Sequence, residues 1–179
     1  ITLNFNFVEA HNNLGITLQQ QGRLKEAEAS YTQAITLNFN FIQAHNNLGI
    51  TLQEQGRLKE AEASFRQAIT LNFNFVEAHN NLGITLKEQS RLKEAEASYR
   101  KAIILKPDYA EAHNNLGNAL QEQGRLDEAE ASFRQAITLN FNFIQSHNNL
   151  GITLQEQGRS KEACSAYIQA INLNPNLTD

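Results

Sequence analysis

The chain has 179 residues and a formal charge of −4, which argues against a general nucleic-acid binder with its basic face and against an anionic membrane surface as partner. Hydrophobic residues make up 41% of it and charged residues 19%, enough apolar material for a core, and no apolar run approaches the ~18–20 residues of a membrane span. One cysteine, Cys164, excludes an internal disulfide framework and fits a reducing, cytoplasmic setting.

Ile1 to Phe7 reads as the tail of a truncated unit, so the chain is expected to be a piece of something longer. Five units follow, 8–41, 42–75, 76–109, 110–143 and 144–177, and 178–179 begin a further unit or a tail. The period that defines them is the string His-Asn-Asn-Leu-Gly, which begins at His11, His45, His79, His113 and His147 with a constant step of 34. Chance does not produce such a register, and a period of this length is the signature of a repeat architecture. Glycine falls into the same register: Gly15, Gly49, Gly83, Gly117 and Gly151 form one column, and Gly22, Gly56, Gly124 and Gly158 another, in which Ser90 stands in the third unit.

Inside the first unit, Ala10, Leu14 and Leu18 recur at helical spacing and predict a first helix from about Val8 to Gln21. Gly22 interrupts it as glycine does in a tight turn. A second helix is predicted over Leu24 to Leu37, with Ala27, Tyr31, Ala34 and Ile35 on one side and Lys25, Glu26, Glu28 and Gln33 on a solvated stripe. Two helices that each bury one side cannot close a core alone. Successive pairs must stack, which predicts an all-α solenoid of antiparallel helix pairs rather than a globule.

The columns Leu14, Gly15, Leu18, Ala27, Tyr31 and Ala34, with their counterparts in each later unit (Leu48, Gly49, Ala61, Phe65 and Ala68 in the second), resemble the tetratricopeptide repeat, over essentially the whole chain. That resemblance implies a right-handed superhelix whose first helices line a concave face that holds another protein. Gly and Ala at the helix crossing let the backbones approach, and the aromatic fills the space beyond.

Enzyme chemistry does not fit. Equivalent histidines of neighbouring units stand about 8–10 Å apart, a helix-packing distance, whereas zinc ligands must come within about 2.0–2.3 Å of one centre. The histidines are therefore expected to pack against the preceding unit, and no metal site or cofactor is expected. Cys164 takes the place of Glu28, Glu62, Glu96 and Glu130, a column expected to be largely exposed, and reads as a free surface thiol. No phosphate loop, dinucleotide fingerprint or Ser-His-Asp set is present, and carboxylates repeated once per unit do not make the differentiated pair that acid–base catalysis needs. No catalytic residue is assigned.

The candidate peptide-binding positions on the first helices are Glu9, Gln43, Glu77, Glu111 and Gln145; Asn12, Asn46, Asn80, Asn114 and Asn148; Asn13, Asn47, Asn81, Asn115 and Asn149; and Lys87. Asparagine is a mediocre helix former, so ten of them in register require a reason. An amide can both donate to and accept from a peptide backbone; equally, one column can bridge adjacent helices inside the array. The asparagine ladder is similar to that of the arms of O-linked N-acetylglucosamine transferases, which implies an alternative role as the substrate-recruiting arm of a larger enzyme. Arrays that clamp acidic chaperone tails use Lys or Arg where Asn12, Asn46 and Asn80 stand, so no carboxylate clamp is expected.

The family's proline after the second helix is present as Pro107 and Pro175, but Phe5, Phe39, Phe73 and Phe141 occupy it elsewhere. Phenylalanine does not stop a helix as proline does, and the flanking asparagines, which tolerate the left-handed region, are left to break it. Either the turn forms, with this Phe over the seam between units and the next aromatic (Phe7, Phe41, Phe75, Phe143) packed inside, or the second helix runs on and units exchange between chains. In either case Phe5, Phe39, Phe73 and Phe141 are expected to promote self-association, as a homodimer or an end-to-end stack.

Overall fold

The computed structural model describes residues 5–173, with side chains from Phe7 onward; Pro175 and the expected tail at 178–179 lie outside the described residues. Over that span the chain forms α1 (Phe5–Gln20), α2 (Leu24–Leu37), α3 (Ile42–Glu54), α4 (Leu58–Leu71), α5 (Val76–Glu88), α6 (Leu92–Leu105), α7 (Ala110–Glu122), α8 (Leu126–Leu139), α9 (Ile144–Glu156) and α10 (Ser160–Asn172), and no strand among the described residues. Odd numbers are first helices and even numbers second helices. α1 begins three residues before the expected Val8, taking in Phe5 to Phe7, which had read as the tail of another unit.

First helices α1, α3, α7 and α9 end in the same hydrogen-bonded device. Gly22 takes φ +72°, its N–H reaches the Gln19 carbonyl at 2.9 Å and the Arg23 N–H reaches the Leu18 carbonyl at 2.9 Å. This is a Schellman closure, which satisfies two of the last carbonyls and needs a residue that tolerates positive φ. Ser90 adopts φ +61° in the same column, the one non-glycine in that region among the described residues.

The chain divides into two compact units, Ile1–Gln89 and Ser90–Asp179. In the first, α1 to α5 pack in succession, and first helices α1, α3 and α5 also touch in order; in the second, α6 to α10 pack in succession and α7 touches α9. Each is a solenoid of antiparallel neighbours. Its interior is made of small residues and one aromatic per second helix: Ala27, Tyr31 and Ala34 in α2, then Ala61, Phe65 and Ala68 in α4, are fully buried. A methyl group on Gly49 would stand 2.6 Å from the Phe65 ring, and one on Gly15 2.5 Å from Tyr31. The glycine column is therefore the floor on which the aromatic ring lies.

The Asn-Phe-Asn-Phe segments form turns, and the second helices do not run on: α2 stops at Leu37 and α3 starts at Ile42. The asparagines act otherwise than expected. Asn38 is extended, with φ −146° and ψ 98°, and its Oδ1 accepts the N–H of Asn40 at 3.1 Å. Its backbone carbonyl accepts the N–H of Phe41 at 3.1 Å. Asn72 and Asn140 repeat the side-chain bond at 3.0 and 3.1 Å. These are Asx-turns, in which the side chain stands in for a backbone turn. In the third unit Lys106 stands where Asn38 does, and there the neighbour is Pro107, whose ring fixes φ. Phe39, Phe73 and Phe141 leave 58, 68 and 57% of their surface exposed, so they cover little of any seam. Phe41, Phe75 and Phe143 are half-buried, whereas Phe7 is exposed. The Phe5 side chain lies outside the described residues.

Candidate functional site

Four of the five histidines are set by these turns. His45 Nε2 lies 2.8 Å from the carbonyl oxygen of Phe39, and since a carbonyl only accepts, the ring nitrogen carries the proton. His79, His113 and His147 make the same bond to Phe73, Pro107 and Phe141 at 2.9, 3.0 and 2.8 Å. Among the described residues no group of three His, Cys, Asp or Glu is placed to hold a metal.

On the first helices the two asparagine columns separate. Asn12, Asn46, Asn80 and Asn114 are buried, while Asn148, the last of its column, is exposed. Asn47 Nδ2 donates to Asn12 Oδ1 at 3.0 Å and Asn81 Nδ2 to Asn46 Oδ1 at 3.1 Å. In the second unit Asn149 Nδ2 donates to Asn114 Oδ1 at 3.1 Å and to Asn118 Oδ1 at 2.9 Å, and Ser146 Oγ adds a 3.0 Å bond to Asn114. The amide oxygens of Asn12, Asn46 and Asn114 are thus committed within the array. The outer column stays at the surface: Asn13 is exposed and Asn47, Asn81, Asn115 and Asn149 are half-buried.

A second row of bonds, about two helical turns further along, joins the same helices. Gln19 Nε2 donates to Glu54 Oε1 at 2.8 Å, Gln53 to Glu88 at 3.0 Å and Gln121 to Glu156 at 3.1 Å. Tyr31 Oη donates to Gln19 Oε1 at 3.0 Å, which fixes the amide with its N–H group toward Glu54. In the asparagine and glutamine rows alike, partners stand 35 residues apart, one repeat plus one residue. The expected site did not include Glu54 or Glu88; their signal in the sequence is that offset between two periodic columns.

Between the rows lie Ile16, at 36% exposure, and the half-buried Ile50 and Ile84. Along one helix the stripe reads Glu77, Asn81, Ile84, Glu88, spaced i, i+4, i+7, i+11 on a single face. Gln43, Asn47, Ile50, Glu54 and Glu9, Asn13, Ile16, Gln20 are its counterparts on α3 and α1. Glu9, Gln43, Glu77, Glu111 and Gln145 are all exposed, and Lys87 is half-buried.

The opposite side is tied by arginine. Arg57, at the N-cap of α4, grips Glu60 of that helix through Nε and Nη2 at 2.8 and 2.6 Å and Glu28 of the preceding unit through Nη1 at 2.7 Å. Arg125 and Arg159 reach back to Glu96 and Glu130 at 2.7 and 2.6 Å. The Glu28 column is accordingly a partly buried clamp rather than the exposed one expected. Cys164, which replaces it in α10, is exposed.

Stacked helix pairs with this glycine–aromatic crossing define a class, the α-helical repeat protein that presents its first helices as a surface. Tetratricopeptide repeat models match residues 8–41, 42–75, 110–143 and 144–177, and a TPR repeat model matches 85–124. The chain belongs to the tetratricopeptide repeat family. Among solved structures it is similar to MamA 41-end from Desulfovibrio magneticus RS-1, with 20% identity, TM-score 0.84 and coverage of 96% of this chain and 97% of that one. PilF of Pseudomonas aeruginosa matches with 22% identity and TM-score 0.83 over 92% of this chain and 77% of that one. YrrB, described as a TPR protein with an unusual peptide-binding site, matches with 24% identity and TM-score 0.73 over 92% and 85%. No curated protein matches the sequence.

Proposed function

We propose that the chain is a non-catalytic protein-interaction module that holds an extended peptide across its first helices. The observation that carries this reading is the face of α1, α3 and α5. Two rows of amide hydrogen bonds pin those helices in register; Ile16, Ile50 and Ile84 lie between the rows, and the outer asparagines Asn13, Asn47 and Asn81 keep a partly exposed edge for a ligand. Preorganisation of this kind reduces the ordering a ligand must induce. The peptide-binding site ascribed to YrrB supports the same use of a related fold.

The test is selection of binders from an unbiased library of displayed peptides, followed by mapping of the best one through amide chemical shifts. Perturbations are expected at Asn13, Asn47, Ile50 and Asn81. Binders that map instead to the second helices overturn the reading.

A further inference from the structure

Charge is segregated between the two classes of helix. The five first helices carry seven glutamates and one ammonium, that of Lys87, a formal balance of −6 with histidine neutral. Of the chain's 19 acidic and 15 basic side chains, 12 acidic and 14 basic therefore lie elsewhere, a balance of +2. The net negative charge of the chain therefore comes from its first helices.

On α1, α3 and α5 these charges have a pattern. Glu9 and Glu77 stand at one end of the stripes, Glu54 and Glu88 at the other, all four exposed, with the isoleucines between them. Packed helices repeat at about 8–10 Å. An extended chain in polyproline II conformation advances about 9.3 Å in three residues and returns every third side chain to the same edge. A peptide crossing the three helices thus sets one side chain of each triplet on Ile16, Ile50 and Ile84 in turn and directs the other two toward the flanking carboxylates.

We infer that the ligand of this face is a cationic extended peptide with an aliphatic residue at every third position and Lys or Arg between. This rests on the peptide-binding reading above. It is carried by the conjunction of an apolar row with complementary charge on both flanks, which sets both attraction and register.

The probe is a fluorescein-labelled peptide of four Leu-Lys-Lys triplets, titrated with the 179-residue chain and followed by anisotropy. Comparators are four Leu-Glu-Glu triplets and a lysine peptide of the same composition with its four leucines adjacent. The Leu-Lys-Lys peptide is expected to bind at least about tenfold more tightly than either, and to weaken with salt. Changing Glu9, Glu54, Glu77 and Glu88 to Gln should weaken it about tenfold. The same change of charge on the second helices, at Glu26, Glu60, Glu128 and Glu162, should alter it by less than about twofold. Ile50→Asn with Ile84→Asn, the residue type already present at 118, should abolish the preference for triplet spacing. Equal losses in the two glutamine variants reveal attraction to net charge and overturn the inference, as does equal binding of the glutamate peptide. Library binders that map to this face yet lack basic residues overturn the charge assignment and leave the peptide-binding reading standing; binders that map elsewhere remove both.

Discussion

The imidazole of His45 both hydrogen-bonds the carbonyl of Phe39 and meets its ring edge-on, with centroids 5.3 Å apart at 78°. His147 and Phe141 repeat the pair at 5.3 Å and 80°. Histidine therefore closes the turn that joins one repeat to the next, a role that explains its recurrence without invoking a metal. His45→Leu keeps the bulk and removes the donor. It is expected to lower unfolding free energy by about 1 kcal/mol, the net worth of an ordinary hydrogen bond, measured by urea denaturation.

Ser90 is the test of the helix–helix turn. Its φ of +61° places a β-carbon where the left-handed region penalises it by about 1 kcal/mol. Ser90→Gly should raise stability by roughly that amount, less what a freer unfolded chain gives back. A lower melting temperature for this variant would show that the serine side chain has a compensating role.

At the crossing the opposite holds. Gly49→Ala gains helix propensity, about 1 kcal/mol, yet its methyl group would stand 2.6 Å from the Phe65 ring, which is fully buried. Overpacking of a close-set core costs about 1–3 kcal/mol, so the net change is expected to be destabilising. Gly49→Ala combined with Phe65→Leu should recover part of the loss, a coupling that a thermodynamic cycle of the two variants measures.

The arginine clamps make stability depend on pH. Arg57 holds the Glu28 carboxyl below its ordinary value through their hydrogen bond, against a lesser upward push from burial. At Glu96 and Glu130 burial pushes up most strongly of any single cause, but the combined bonds from Arg125, Arg100 and Gln123, and from Arg134, Arg159 and Gln157, carry both carboxyls down. A carboxylate with a depressed folded-state value adds stability that is complete above its unfolded value, 4.5, and is lost as pH falls through the folded one. Melting temperature should therefore change little from these groups between pH 7 and pH 5 and fall below about pH 4.5. Arg57→Gln should shrink that fall, and 0.5 M salt should do so too, because the guanidinium is partly exposed and its pairing is screened. An unchanged acid slope in Arg57→Gln would remove the clamp as its cause.

The 34-residue period made the helix pairs and the glycine–aromatic crossing legible, because burial forces the same residue types into the same columns. What it did not separate was a column that contacts the neighbouring repeat from one that faces outward, since both recur with that period. Asn12 and Asn13 show the difficulty: adjacent in sequence and alike in chemistry, one is buried and the other exposed. The start of α1 at Phe5 was hidden for a different reason, as the residues that end a helix in later repeats have no second helix before them among the described residues. Nor do the asparagine rows now supply a separate argument for a glycosyltransferase arm, because inter-repeat bonding accounts for the inner one.

Phe39, Phe73 and Phe141 remain, large apolar side chains more than half exposed at the same place in each turn. Exposed apolar surface of this kind marks association sites, and we propose that these rings pair with a second copy of the chain. Proline is the substitution that isolates the effect. At Pro107 the turn forms without an Asx bond from Lys106, and His113 still reaches the carbonyl at 3.0 Å, so the turn tolerates Pro in place of Phe. The triple variant Phe39→Pro, Phe73→Pro, Phe141→Pro is expected to keep its helical circular dichroism while losing three rings' worth of surface. The unaltered chain should show sedimentation coefficients that rise with concentration, and the variant should sediment as a monomer at every concentration. If the two proteins sediment alike, the rings serve only their own turns, through edge contacts such as those of Phe39 with His45 and Phe141 with His147.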